Sequence, residues 1–190
     1  VFKIGAASAA LLADAGATRV GAVLEGERLA QFLRAAAVSA LIDRALNSLA
    51  RGRRTRRELE LKLRRHEPDA RLIAEALDRL EASGVVSDAE VARAEASSRL
   101  RRGDAPQRVR QTLRRKGVDQ RSTDAAIASA VEEDGFDELA ACRTQAQKRW
   151  RSLASLEPDV AKRRLMGFLQ RRGFSGQVVR AVYRELLAGD

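Results

Sequence analysis

The feature that most constrains the fold of this chain is an internal repeat, in which one short pattern occurs three times. The aligned segments are Leu63-Arg64-Arg65, Leu113-Arg114-Arg115 and Leu169-Gln170-Arg171. Four residues before each leucine stands another apolar residue, at Leu59, Val109 and Leu165. An apolar pair with this spacing lies on one face of a helix. Each copy is therefore predicted to bury one face of a shared helix and to carry arginine on the other face.

Capping residues predict that the helices of the copies begin and end at matching positions. Glycines suited to the left-handed residue that closes a helix follow the shared helix at Gly117 and Gly173, while Pro68 stops it in the first copy. N-cap acceptors for a further helix come at Asp69, Asp119 and Ser175. The ends of these further helices are predicted at Gly84, Gly135 and Gly189.

Residues before the shared helix predict where it starts and predict a further helix ahead of it, so each copy is a three-helix unit. Thr55 with Glu58 predicts a capping box at the start of the shared helix in copy one, and Asp104 followed by Pro106 predicts its start in copy two. Amphipathic segments precede these signals at residues 45–50, 91–100 and 139–153. Thr123 replaces the first apolar residue of the third helix in copy two, so this copy is expected to pack less well.

The pattern therefore predicts an all-α chain of three tandem three-helix bundles with a helical N-terminal extension. We expect the extension at 1–44 and the bundles at 45–88, 89–138 and 139–190. The alternative is one larger helical bundle whose Leu-Arg-Arg similarities arise by chance in an arginine-rich chain. Matching cap chemistry favours the repeats.

The charge of the chain points to a polyanionic partner, either nucleic acid or an acidic protein surface. The formal net charge is +10, and it is concentrated in two stretches. Residues 51–65 carry 8 basic and 2 acidic side chains, and residues 99–116 carry 8 basic and 1 acidic. Both stretches have helical apolar periodicity, so the guanidinium groups are expected on ordered helices, where they can contact phosphate or carboxylate. The alternative is a solvated face that serves solubility.

A three-helix unit with a short turn also resembles a helix-turn-helix reader of DNA. The helices that would enter the groove, residues 69–80 and 119–131, have few side chains suited to base edges, and the charge lies on the preceding helix. This arrangement favours contact with a backbone or a protein surface over base readout.

Constellations of residues that support catalysis or ligand binding are nearly absent, and we expect no enzyme activity, no cofactor and no bound metal. His66 is the only histidine, and no phosphate-binding glycine loop is present. The acidic residues at 132–134 and 137–138 are interpreted as a solvated junction, with a cation site as the alternative. Trp150, flanked by cations, is expected to be buried between the first two helices of copy three, with base stacking as the alternative.

The single cysteine, Cys142, excludes an intrachain disulfide and favours packing in a core and a cytoplasmic setting. No apolar run is long enough for a membrane helix, and the apolar stretch at 4–13 lacks a basic leader. We therefore expect no membrane partner.

An ordered set of motifs resembles the RecX family, the bacterial modulators of the RecA recombinase. The matching segments are Ala45-Leu46, Leu49-Ala50-Arg51, Arg53, Thr55, Glu58-Leu59, Leu63, Gly84-Val85-Val86-Ser87-Asp88, Val91-Ala92, Leu113-Arg114-Arg115-Lys116-Gly117-Val118 and Arg171-Arg172-Gly173-Phe174-Ser175. The resemblance covers residues 45–188, with Thr55 where the family commonly has Ser and Glu67 where it commonly has Gly. The run at 16–29 resembles the linker that some longer members carry.

The resemblance implies an elongated, curved, monomeric molecule that lies in the groove of the filament formed by RecA on single-stranded DNA. It implies inhibition of ATP hydrolysis, strand exchange and filament growth, with only weak and non-specific binding to nucleic acid alone. A transcriptional or architectural DNA-binding protein is the alternative. The residues predicted to contact RecA or nucleic acid are Arg53, Arg56, Arg57, Arg64, Arg65, Arg101, Arg102, Arg108, Arg110, Arg114, Arg115, Lys116, Arg163, Arg164, Arg171 and Arg172.

Overall fold

A computed structural model of the chain describes residues 25–153 and 155–188, and within them all regular structure is helical. The predicted all-α class is therefore confirmed. The helices are α1 (Gly26–Leu49), α2 (Arg56–Leu63), α3 (Ala70–Ala82), α4 (Asp88–Arg101), α5 (Pro106–Arg115), α6 (Gln120–Glu133), α7 (Glu138–Trp150), α8 (Pro158–Arg171) and α9 (Gly176–Ala188).

The helices form three groups of three, and each group encloses its own apolar core. We call α1–α3 repeat 1, α4–α6 repeat 2 and α7–α9 repeat 3. Ile73 and Leu77 lie in the first core, Val109 and Ile127 in the second, and Val179 in the third. The described part of the chain thus forms three-helix bundles, as predicted, and not one larger bundle. Repeat 1 belongs to one compact unit, and repeats 2 and 3 belong to another.

The predicted caps set the helix boundaries. The Glu58 backbone N–H donates to Thr55 Oγ1 at 3.2 Å and the Thr55 N–H donates to Glu58 Oε2 at 3.0 Å, which completes the capping box of α2. The carboxylates of Asp69 and Asp119 accept from backbone N–H groups in the first turns of α3 and α6. Gly173, which follows α8, has a φ of +89°, the left-handed conformation predicted for it.

The first helix is longer than the predicted segment at 45–50, because α1 already begins at Gly26. Val38 and Leu41 precede Ala45 on the same helix face and are buried with it in the core of repeat 1. No helix breaker interrupts this stretch. The N-terminal segments interpreted from sequence, at 4–13 and in the first part of 16–29, lie outside the described residues, as does the predicted stop at Gly189.

Pro106 opens α5 as predicted, but the interpretation of Asp104 as part of that helix start is wrong. The N-cap position is held by Ala105, which makes no side-chain cap. The Asp104 carboxylate instead accepts from the guanidinium groups of Arg99 and Arg172, at 3.1 Å and 3.2 Å. Two charged partners hold this side chain away from the amides of α5.

Thr123 places a hydroxyl group in the core of repeat 2. Its side chain is 2% exposed, and its Oγ1 has no hydrogen-bond partner in the part of the chain that the structure describes. The other buried threonine of this repeat, Thr112, donates from its Oγ1 to the Arg108 carbonyl at 3.0 Å. The structure thus shows an unsatisfied buried hydroxyl at Thr123, while the poorer packing expected of this copy stays a prediction.

Replacing this hydroxyl should stabilise the protein. We expect Thr123→Val to raise the free energy of unfolding by about 1 kcal/mol, because a desolvated, unpartnered hydroxyl becomes a methyl group of similar size. Thr112→Val is the matched control, since it removes a satisfied hydroxyl and should be neutral or destabilising. Urea unfolding followed by circular dichroism measures both variants. Equal effects of the two substitutions would contradict this explanation.

Candidate functional site

The second helix of each repeat, α2, α5 or α8, is held against the core by the predicted apolar pair. The side chains of these pairs are at most 1% exposed: Leu59, Leu63, Val109, Leu113, Leu165 and Leu169. Their burial fixes the rotation of each helix about its axis. Residues shortly after the second leucine consequently turn away from the core.

An exposed arginine occupies the same position after the buried leucine in every repeat. We call these three residues the outer arginines: Arg65, Arg115 and Arg171. None of them has a carboxylate partner among residues 25–153 and 155–188. A guanidinium group in this state can offer paired N–H donors to a phosphate or a carboxylate of another molecule.

The sixteen cations predicted to bind a partner fall into two groups. Those that form ion pairs within their own repeat or unit are Arg56, Arg64, Arg101, Arg110, Lys116 and Arg172. Those without a carboxylate partner in the described parts of the chain are Arg53, Arg57, Arg65, Arg102, Arg108, Arg114, Arg115, Arg163, Arg164 and Arg171. The second group is exposed except for Arg108, which is half-buried.

Ion pairs from the second helix to the third stabilise repeats 1 and 2. Arg56 pairs with Asp78 at 2.8 Å and also with Glu81. Burial alone would lower the pKa of Arg56, but these two carboxylates outweigh it and the pKa is raised. In repeat 2, Arg110 pairs with Asp124 at 3.0 Å. These cations already have partners, which leaves less of their charge for an external anion.

Lys116 belongs to a half-buried cluster in repeat 2. Its Nζ lies 2.9 Å from Glu95 Oε2, and Arg99 pairs with the same carboxylate. Burial by itself would raise the pKa of Glu95, but the hydrogen bonds from Lys116 and Arg99 outweigh it, so the pKa lies below its ordinary value. The cluster joins α4 to the end of α5.

The sequence prediction did not single out two polar residues, a buried glutamine that makes a hydrogen bond to repeat 2 and an exposed arginine. Gln145 is 9% exposed and donates from Nε2 to the Arg102 carbonyl at 3.3 Å. Its position between Cys142 and Ala146 on the buried face of α7 is the signal that could have identified it. Arg54 is exposed beside Arg53 in the basic stretch, so the residues predicted to contact RecA or nucleic acid should have included it.

The histidine and the cysteine of this chain lie in different environments. His66 is exposed at the end of α2. Cys142 is buried, and burial, with smaller effects of Glu138 and Glu185, raises the pKa of its thiol to about 11, so it is protonated at neutral pH. Within the described ranges, no three His, Cys, Asp or Glu side chains gather as a metal site, and no helix is long and apolar enough to cross a bilayer.

Trp150 is half-buried at the end of α7. Its ring meets Tyr183 of α9 edge to face, with the ring centroids 6.3 Å apart. The third helix of the repeat thus supplies this contact, whereas the sequence predicted burial between the first two helices. Together with the partial burial of the indole, this contact indicates a role in packing.

Comparison with family models assigns one domain of a known protein to each repeat. The matches are to "RecX, first three-helix domain" at residues 42–80, "RecX, second three-helix domain" at 87–127 and "RecX, third three-helix domain" at 137–183.

Curated relatives cover most of the chain. The sequence is 36% identical over 146 residues to "Regulatory protein RecX" of Halorhodospira halophila, covering 77% of this chain and 88% of that protein. It is 33% identical over 153 residues to the protein of the same name from Chlorobaculum tepidum, covering 80% and 91%.

Solved structures share the fold. A crystal structure of regulatory protein RecX matches with a TM-score of 0.77 at 19% identity, covering 92% of this chain and 86% of that one. The crystal structure of RecX from Lactobacillus salivarius matches with a TM-score of 0.63 at 22% identity, covering 79% and 96%.

Two neighbouring cations at the end of α5 should differ in their effect on stability. We expect Lys116→Ala to lower the free energy of unfolding by about 0.5–1 kcal/mol at pH 7, because Glu95 loses a partner. The exposed Arg115→Ala should change it by less than about 0.5 kcal/mol.

The pH dependence of the Lys116→Ala effect provides a second check. The pKa of Glu95 is lowered in the folded state, so this contribution is present above the ordinary value of 4.5 and is lost as the pH falls through the folded pKa. The difference between the wild type and Lys116→Ala should therefore shrink in acid. Urea unfolding at pH 7 and in acid measures it, and a pH-independent difference would contradict the pairing.

Proposed function

This chain belongs to the RecX family, and from that premise we propose that it binds the filament of RecA on single-stranded DNA and inhibits RecA. It acts by occupying the filament groove, which suppresses ATP hydrolysis, strand exchange and filament growth. The family match supports the regulatory role, and the cationic second helices support the choice of a polyanionic partner.

The observation that carries the proposal is the repetition of the outer arginines. The same exposed cation recurs at one position in three consecutive bundles. A filament presents the same surface at regular intervals, so a repeated cation suits a repeated anion. Each contact is modest on its own, but contacts that are linked in one molecule add to the affinity.

A function in binding, without a catalysed reaction, is consistent with the environments of the histidine and the cysteine in this chain. The lone histidine lies in solvent and the lone thiol is protonated in a core, so neither is paired with an activating group. Inhibition by occupancy requires only that the bound protein persist on the filament. Its strength should then depend on the number of ionic contacts and on salt.

The direct functional test is the ATPase rate of RecA on single-stranded DNA. Adding this protein should lower the rate, and the inhibition should saturate as the groove fills. An unchanged rate at saturating protein would contradict the proposal. Site-specific binding to duplex DNA without RecA, with a preference of about 10³-fold or more, would instead support a transcriptional or architectural role.

The contribution of the outer arginines to filament binding can be compared with that of exposed arginines on the third helices. The variant Arg65→Ala, Arg115→Ala, Arg171→Ala should bind preformed filaments at least about tenfold more weakly, and its salt slope should fall by about 2, as for the loss of three ionic contacts. The matched control replaces the exposed arginines Arg71, Arg121 and Arg180, which removes the same charge from α3, α6 and α9.

Co-sedimentation with filaments at several salt concentrations measures both triple variants. We expect the control to retain most of the affinity and the slope. Equal losses in the two variants would mean that net charge alone drives binding, and would contradict a specific role for the outer arginines.

A further inference from the structure

The loop between α4 and α5 belongs to repeat 2 by sequence, but its last residue is packed in the core of repeat 3. Ala105 is 1% exposed and lies in the same apolar cluster as Leu165, Leu169 and Phe174. Its backbone N–H donates to the carbonyl of Arg172 at 2.9 Å. Repeats 2 and 3, which share one compact unit, therefore meet through backbone as well as side chains.

The Arg172 side chain holds the other end of this loop. Its Nη1 lies 3.2 Å from the Arg102 carbonyl, 3.5 Å from the Gly103 carbonyl and 3.2 Å from Asp104 Oδ1. The two carbonyls directly follow the end of α4, where the helix dipole favours a cation. The guanidinium group also lies over the Phe168 ring, 5.2 Å from its centroid.

Two further contacts leave little room for the loop to shift. Gln145 of repeat 3 donates to the same Arg102 carbonyl, at 3.3 Å. A Cβ placed on Gly173 would lie 2.5 Å from the backbone nitrogen of Arg108, so the chain after α8 lies directly against α5. Both are close contacts between a residue of repeat 2 and a residue of repeat 3.

Neighbouring positions of the repeat thus have different roles. Arg171 is an outer arginine with no carboxylate partner in the described residues, whereas Arg172 is half-buried and paired. Lys116, at the position equivalent to Arg172 in repeat 2, is also paired, with Glu95. The charge of Arg172 is used inside the protein.

We propose that Arg172, with Asp104, is a positioning residue that fixes repeat 2 against repeat 3 and so sets the spacing of the outer arginines Arg115 and Arg171. It acts through this spacing and does not itself contact the partner. The structural part of the proposal stands on the contacts above, and only its effect on binding rests on the proposed function.

Hydrogen exchange tests the structural part without any partner. In Arg172→Ala, amides in the segment 102–108 should exchange roughly tenfold faster or more, because the charged contacts that hold the loop are lost. Arg171→Ala is the matched control and should leave the exchange of this segment unchanged. An unchanged rate in Arg172→Ala, or the same increase in both variants, would overturn the proposal.

The sign of the effect of Asp104 on filament binding separates positioning from direct contact. Asp104→Asn removes a negative charge, which should strengthen binding to a polyanion if charge alone matters. If Arg172 acts by positioning, Asp104→Asn should weaken binding by roughly fivefold, because the outer arginines are no longer preorganised. Tighter or unchanged binding by Asp104→Asn would overturn the proposal. Absence of binding by the wild type would refute the proposed function, and hydrogen exchange alone would then test the structural part of the proposal.

A substitution at Gly173 tests the contact between repeats 2 and 3 without changing any charge. Gly173→Ala places a methyl group against the Arg108 backbone, whereas Gly135→Ala, also at a positive φ, meets no atom within 4 Å. Only Gly173→Ala should speed exchange in 102–108 and weaken filament binding. Equal behaviour of the two glycine variants would show that backbone strain, and not the junction, is responsible, which contradicts the proposal.

Discussion

Burial of an apolar pair on the second helix of each repeat is the constraint from which the rest of the structure follows. Once Leu113 and Val109 are packed at 0% exposure, the rotation of α5 is fixed and the residues after Leu113 are directed outward or toward α4. The same argument applies to α2 and α8. The hydrophobic effect therefore determines where the cations lie, although the cations contribute little to the cores.

Ion pairing then divides the cations into those that hold the bundles together and those that remain available. Arg56 and Arg110 tie second helices to third helices, and Lys116 ties α5 to α4. The 36 lysines and arginines of the chain repel one another, and carboxylates beside these positions reduce the repulsion. The cations without a carboxylate partner in the described residues are therefore a smaller set than the composition suggests.

Local signals in the sequence predicted much of the fold, because caps and i, i+4 pairs depend on residues close in sequence. Thr55 with Glu58, and Asp69, act as predicted. The roles of the individual cations could not be predicted in the same way. The partners of Arg172 and Lys116 lie 68 and 21 residues away, and no spacing rule specifies such pairs. The early start of α1 was missed for a different reason, since the repeat pattern does not extend before position 45.

One exposed arginine in each repeat, Arg65, Arg115 or Arg171, is proposed to contact the RecA filament. The most direct measurement is covalent modification of arginine by phenylglyoxal, with and without filament, read residue by residue by mass spectrometry. We expect strong protection of Arg65, Arg115 and Arg171 and little change at Arg71, Arg121 and Arg180 on the third helices. Protection confined to the third helices, or no protection at the outer arginines, would contradict it.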